Sequence, residues 1–230
     1  MSERETAAGD PAAREPAAPD GLDASVSWLN TAVDKLIAGA SLVFLSPLLG
    51  AIALAIKVEG LVDPAARGPA IWTVTRISRG HPFGMYKFRT VRAHRPPDAY
   101  DGPDKRYTTY EMNPDATRVG RFLLRWYLDE LPQLVNILRG EMRLVGPRPA
   151  PPWEYEWELS EGADSKRRVK AGWAGLVQAS KGRSASRKEN MQLDAEYVRR
   201  IATMSPRQRL AYDLSLLVQT LRTAFRGEGR

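Results

Sequence analysis

"LIAGASLVFLSPLLGAIALAI", Leu36 to Ile56, runs 21 residues without a charged side chain. About 20 apolar residues in a helix are what the hydrocarbon core of a bilayer requires. On length alone the run reads as a spanning helix, since the core helix of a soluble chain this size seldom stays apolar for so long. Ser46-Pro47 at its centre complicates that reading. Proline supplies no backbone donor and clashes with the preceding turn, so it breaks or bends a helix. Deep in lipid the carbonyl it leaves behind needs another partner, and the Ser46 hydroxyl can help supply one. A break at mid-depth lets the segment turn back instead of crossing. Asp34 and Lys35 precede the run while Lys57 and Glu59 follow it, so flanking charge gives no orientation. The residues themselves leave both topologies open.

Charge is unevenly spread along the chain. The formal total over 230 residues is +7, yet residues 1–25 hold six acids against Arg4 and Arg14, a balance of −4, which leaves +11 for the remainder. A basic body points to an anionic partner: nucleic acid, an anionic membrane face or a phosphorylated substrate. The length suits one domain with appendages and is enough to bury a core. Cysteine is absent, which excludes disulfides and thiolate metal sites and fits a reducing compartment. The opening "MSERETAAGDPAAREPAAPDGLDAS" has no basic stretch ahead of an apolar one, so it does not read as a signal peptide. With so little apolar surface to offset the entropy of ordering, residues 1–25 read as a disordered tail.

Beyond the apolar run, "AIWTVTRIS" (70–78), "RGHPFG" and "MYKFRTV" (85–91) read as strand, turn and strand. Alternation sends Lys87 and Arg89 to one face, Tyr86 and Phe88 to the other. Residues 92–115, polar and with four prolines, read as a loop. Thr117 can cap a helix continuing to about Leu128, with Val119, Phe122, Leu123, Trp126 and Tyr127 on one apolar face and Arg118, Arg121 and Arg125 on a separate stripe. Such a helix either packs on a core or lies in a membrane interface, arginines near lipid phosphates and aromatics at headgroup level.

In "YLDELPQL" (127–134) two acids, Asp129 and Glu130, stand side by side in an apolar frame. Pro132 suits the first turn of a helix over roughly 132–139. The acids then fall just before a helix N-terminus, where unpaired amides favour negative charge. A lone acid there is usually a cap, but one capping site does not need two. "VGPRP" (145–149) sets a rigid turn projecting Arg148, and a last helix near 206–225 spaces Leu210, Leu214, Leu217, Leu221 and Phe225 as a packing stripe.

Taken together, Ser-Pro inside an apolar run, "YKFRT", "TRVGRFLLRWYLDELPQLVNILRGEMRLVGPRP" and "LDAEYV" resemble the bacterial sugar transferase family, the monotopic polyprenyl-phosphate phosphoglycosyl transferases, over roughly residues 30–225. The resemblance implies transfer of a phosphosugar from a UDP-sugar to polyprenyl (undecaprenyl) phosphate with release of UMP, the first step of exopolysaccharide, capsule, O-antigen or glycoprotein glycan assembly. It implies an Asp-Glu dyad at Asp129 and Glu130 working with Mg²⁺, Asp129 as nucleophile, and Arg148 holding phosphate. Lys87, Arg89, Arg118, Arg125, Gln178 and Arg183 complete the expected phosphate and nucleotide contacts. The implied fold is α+β and mainly helical. A re-entrant membrane helix (26–60) turning at Ser46 and Pro47 is joined by interfacial amphipathic helices and a small β-hairpin on a cytoplasmic catalytic domain (61–230). That places the chain at the cytoplasmic face of a bacterial inner membrane, with the lipid bilayer as a partner; a homo-oligomer is left open.

Three departures from the family pattern stand out. Leu124 occupies the position five before the nucleophile where Arg is common, with Arg125 one later; Ala171 replaces Pro in "AGWAGLVQ" (171–178); and "ASKGR" is one residue longer than usual. Two other classes compete. A nucleic-acid binder accounts for the basic charge but for neither the apolar run nor the acid pair, and no duplex-reading motif is present. A membrane-anchored Mg²⁺-dependent phosphohydrolase, or an interaction protein using the acids as helix caps, remains the alternative.

Overall fold

The structure, a computed structural model, describes residues 28–92, 115–180 and 186–225. The tail read across 1–25, the loop read across 92–115 apart from its two end residues, and Arg183 lie outside them. The ends of that loop are joined: Val91 pairs with Ala116, and the Arg92 amide donates to Asp115 O at 2.9 Å.

The apolar run lies within one helix, α1 (Trp28–Val62), which carries helical residues through Pro47. The donor that Pro47 lacks is made good locally. Pro47 has no N–H for Val43 O, four residues earlier, and the Ser46 hydroxyl donates to that carbonyl at 2.8 Å. Only 11% of the helix's most apolar 18 residues are buried. That is too little for the core helix of a soluble protein, and Val43, Phe44 and Leu54 stand outward. Among the described residues, one helix is thus long and apolar enough to cross a membrane by length and composition. A narrower face packs inward: Ala38 joins Leu134, Ile137 and Met142, while Ile52 and Ile56 meet Phe88 and Leu123.

β1 (Ile71–Ser78) and β2 (His81–Phe88) form an antiparallel hairpin in register from Ile71↔Phe88 to Ser78↔His81. The turn is two residues, not the six expected: Arg79 and Gly80 both have positive φ, 51° and 77°, as a type I′ turn requires. Pro82 lies inside the strand opposite Ile77, whose amide points away to Ala150 O at 2.9 Å. At such a non-hydrogen-bonded pair the missing proline donor costs no ladder bond.

α2 (Arg118–Arg125) starts at the Thr117 cap, whose hydroxyl accepts from the Gly120 amide at 2.9 Å. It ends three residues before the expected Leu128. Tyr127 turns the chain at φ 55°, a single 3₁₀ turn spans Leu128–Glu130, and α3 (Gln133–Arg139) follows with Pro132 at its start. A short parallel pair, β3 (Arg143–Val145) with β4 (Gly172–Ala174), crosses the centre. Here the backbones touch: a Cβ on Gly172 would lie 1.9 Å from Gly146 N, so only glycine fits.

Around these run α4 (Pro152–Ser160), α5 (Ser165–Arg168), α6 (Leu176–Ala179), α7 (Arg187–Ala202) and α8 (Pro206–Phe225). The last helix lies where expected but shows a different face. Leu214 and Leu221 of the leucine stripe are 39% and 36% exposed, whereas Arg209, Asp213 and Leu216 are buried. Buried charge is tolerated because it is paired. Arg143 reaches Asp34 of α1 at 2.8 Å and Asp213 at 3.4 Å, and the Tyr197 hydroxyl donates to Asp213 at 3.0 Å.

Candidate active site

Asp129 and Glu130 sit on the 3₁₀ turn between α2 and α3, with Asp129 4% exposed. Their positive partner comes from the hairpin. The Lys87 ammonium lies 3.4 Å from Asp129 Oδ2 and 3.0 Å from Glu130 Oε1, bridging the pair. Arg148, beyond β3, brings Nη2 to 3.7 Å from Glu130 Oε1. Two carboxylates and two cations, supplied by three separate segments, therefore converge on one spot.

Each member is held from behind. The fully buried side chain of Asn136 on α3 accepts from the Tyr86 amide at 3.0 Å and donates to Gly84 O at 2.8 Å and Glu141 Oε2 at 2.6 Å. It clamps the second strand, and so Lys87, to the helix that follows the dyad. Sequence reading missed Asn136, although an amide in the apolar frame "QLVNIL" is a signal, since such a group must find partners when buried. Arg148 follows the glycine packed against β4, and its backbone N–H donates to the Asp194 carboxylate. Asp194 is fixed in turn by Lys166 at 2.8 Å, which also pairs with Glu158 at 2.6 Å, all three buried.

The electrostatics follow from this packing. Burial pushes the Asp129 carboxyl above the usual range, Lys87 pulls it back, and the Glu130 charge adds to the rise. For Lys87 burial opposes the charge, but Glu130 and Asp129 outweigh it and hold the ammonium above the ordinary lysine value. Burial likewise raises the Tyr127 phenol, whose backbone is strained at positive φ beside the pair. Among the described residues no three His, Asp or Glu side chains gather as a metal cage. The dyad alone offers two adjacent hard oxygen donors.

Residues 25–227 match the family described as bacterial sugar transferase. The chain belongs to that family. Its relatives include a UDP-glucose:undecaprenyl-phosphate glucose-1-phosphate transferase of Escherichia coli K12, 35% identical over 74% of this chain and 36% of that protein. An undecaprenyl-phosphate glucose phosphotransferase of Komagataeibacter xylinus is 37% identical over 69% of this chain and 30% of its own length. The galactosyl transferase CpsE of Streptococcus agalactiae is 34% identical over 70% and 36%, respectively. The chain thus spans about a third of the length of these relatives.

Of the site residues expected for this bacterial sugar transferase, Lys87, Asp129, Glu130 and Arg148 come together. The other described ones, Arg89, Arg118, Arg125 and Gln178, make different contacts. Arg89, 2% exposed, feels the charge of Glu59 on α1, and burial lowers its pKa. Arg118 and Arg125 are exposed on α2, Arg125 lying 5.7 Å over the Trp126 ring. The Gln178 amide donates to Gly172 O and Trp173 O, each at 3.2 Å, while its Oε1 has no hydrogen-bond partner among the described residues. The Ala171 departure also acquires a reason, because its N–H donates to the Ser78 hydroxyl at 3.1 Å, a bond proline cannot make.

Proposed function

We propose that this chain transfers a phosphosugar from a UDP-sugar to polyprenyl phosphate, giving polyprenyl-diphospho-sugar and UMP, the initiating step of a bacterial glycan. The observation that carries the reading is the buried Asp129–Glu130 pair bridged by Lys87 with Arg148 alongside, in a family whose relatives are named for that transfer from UDP-glucose. An Asp129 carboxylate oxygen attacks the sugar-bearing phosphorus of the UDP-sugar. The bond from that phosphorus to the bridging oxygen breaks, and UMP leaves with the electron pair. An oxygen of polyprenyl phosphate then attacks the same phosphorus and frees the Asp129 carboxylate. Lys87 keeps the carboxylate ionised in its buried setting, and Arg148 neutralises charge on the diphosphate.

Mg²⁺ fits the donor set, because it is commonly bound by one or two carboxylates plus substrate phosphates rather than by an all-protein cage. Asp129 and Glu130 would hold it, and when bound it supplies charge to the diphosphate. A phosphohydrolase would use the same groups, but the exposed apolar face of α1 favours a lipid acceptor beside the site.

The same reading has α1 entering the bilayer from the cytoplasmic face and returning to it. Both ends of the helix dock on one body: Asp34 pairs with Arg143 at one end, and Glu59 accepts the Arg118 amide at 2.6 Å at the other. A crossing helix would carry one of those ends to the opposite side. That supports re-entry, with the outward residues from Val43 to Leu54 deepest in lipid.

The deciding experiment incubates purified chain with UDP-sugar and Mg²⁺ but no polyprenyl phosphate. The expected result is about one equivalent of UMP and a phosphosugar retained on Asp129, as covalent catalysis in two half-reactions requires. Asp129→Asn should abolish both. No UMP before lipid is added, or an adduct on another residue, would sink the assignment; free sugar phosphate without lipid would favour the phosphohydrolase.

A further inference from the structure

Away from the dyad, at the C-terminal end of α3, a recess of ≈ 140 Å³ opens between the first turns of α1 and the hairpin turn. α3 separates it from the dyad by its own length, roughly 10 Å. Four cations line it, Lys35, Arg79, Arg143 and Lys170, against one acid, Asp34. That acid is already taken, since Arg143 Nε holds it at 2.8 Å. Lys35 and Lys170 form no ion pair with any described residue. Arg143, 6% exposed at its side chain, keeps its Nη1 without a hydrogen-bond partner among the described residues.

The hairpin turn adds an independent observation. Arg79 occupies the first central position of a type I′ turn at φ 51°, where Asn, Asp or Gly is the favoured residue. The strain of a long side chain at positive φ is tolerated where the surroundings use that side chain, and here it lines the recess.

We propose that this recess binds a phosphate group, with Lys35 and Lys170 as point charges and Arg79 adding positive charge to the lining. Lys35 immediately precedes the apolar run, so a phospholipid headgroup is the nearer source and a soluble phosphate the other. The site lies apart from the dyad and does not rest on its chemistry.

The test uses the full chain in neutral detergent micelles and follows thermal unfolding with added phosphatidylglycerol, phosphatidylcholine or inorganic phosphate. Phosphatidylglycerol should raise Tm, and a Lys35→Gln/Lys170→Gln variant should need roughly thirtyfold more lipid for half the effect, from the loss of two cations. Lys188→Gln/Arg199→Gln, which removes two exposed cations of α7, should respond like the parent. If inorganic phosphate gives the same shift and the recess variant loses it, the site stands with a soluble ligand. No shift with any addition, a shift that survives in the recess variant, or an equal loss in the α7 variant overturns the proposal. Circular dichroism of the recess variant separates misfolding from lost binding, and Lys170→Gln alone, with an intermediate shift, repeats the test on the smaller change.

Discussion

Lys87→Gln probes the electrostatics of the dyad, because glutamine, one bond shorter, keeps a donor while removing the charge. The ammonium is 3.0 Å from Glu130 and 3.4 Å from Asp129, whose side chains are 14% and 5% exposed, and is itself 22% exposed. Removing one partner of a buried ion pair costs about 3–5 kcal/mol. Partial solvation of Lys87 and the Arg148 guanidinium 3.7 Å from Glu130 reduce this to about 2–3 kcal/mol. For a chain this size that is a Tm loss of about 5–10 °C.

The sign with pH is fixed. Without Lys87 the folded-state pKa of the pair rises further above its unfolded value of about 4. An acid with a raised folded pKa contributes stability below its unfolded pKa and loses it as pH climbs through the folded one. The deficit of Lys87→Gln against the parent should therefore be small at pH 5 and full at pH 8. Thermal unfolding in detergent across that range measures it. A deficit equal at both ends, or larger at pH 5, would refute the reasoning and reduce Lys87 to a packing residue. Millimolar Mg²⁺ should recover part of the loss at pH 8, as expected if the divalent cation takes the ammonium's place.

Three more outcomes are expected. Arg148→Ala should slow UMP release about a hundredfold, a loss near 3 kcal/mol of transition-state stabilisation; Arg148→Lys restoring full rate would argue against a forked phosphate contact. Burial pushes Asp213 up to about 6, so its contribution is present below pH 4 and lost as pH rises through 6. The stability difference, parent minus Asp213→Asn, should fall by about 3 kcal/mol from pH 4 to pH 7, and a flat difference in Tm would contradict it. The chain has no cysteine, so Ala32→Cys and Ala65→Cys, one at each flank of the apolar run, report topology cleanly. Neither should react with an impermeant thiol reagent in intact cells, and labelling of one alone restores a spanning helix.

What the sequence made legible was local. The apolar run, the hairpin, the helix after Pro132 and the final helix follow from composition, period and proline chemistry, and the acid pair announced itself by its oddness. What it hid depends on partners distant in the chain. Pro82 looked like a turn residue because its tolerance comes from Ile77 bonding Ala150 instead. The leucines of α8 looked like its buried face because nothing nearby shows that Arg209 and Asp213 meet Arg143 and Tyr197 inside the core. Lys87 and Arg89 looked equivalent by alternation, yet one reaches the dyad and the other is buried near Glu59. The Ser46 hydroxyl on Val43 O, anticipated as a partner for the carbonyl that Pro47 frees, is present.

Glu59, in the last turn of α1, accepts from the first two amides of α2, Arg118 at 2.6 Å and Val119 at 3.3 Å. α2 carries the exposed Phe122, is capped by the exposed Trp126, and ends only a few residues before Asp129. The carboxylate thus works as a depth gauge. On the re-entrant arrangement proposed above, however far α1 sinks into lipid, the start of α2 is hauled to the same height, and the dyad rides a fixed distance above it. One residue added between Ile56 and Glu59 would swing that carboxylate about 100° around the helix and lift it about 1.5 Å, uncoupling the altitude of the chemistry from the level at which a lipid phosphate waits.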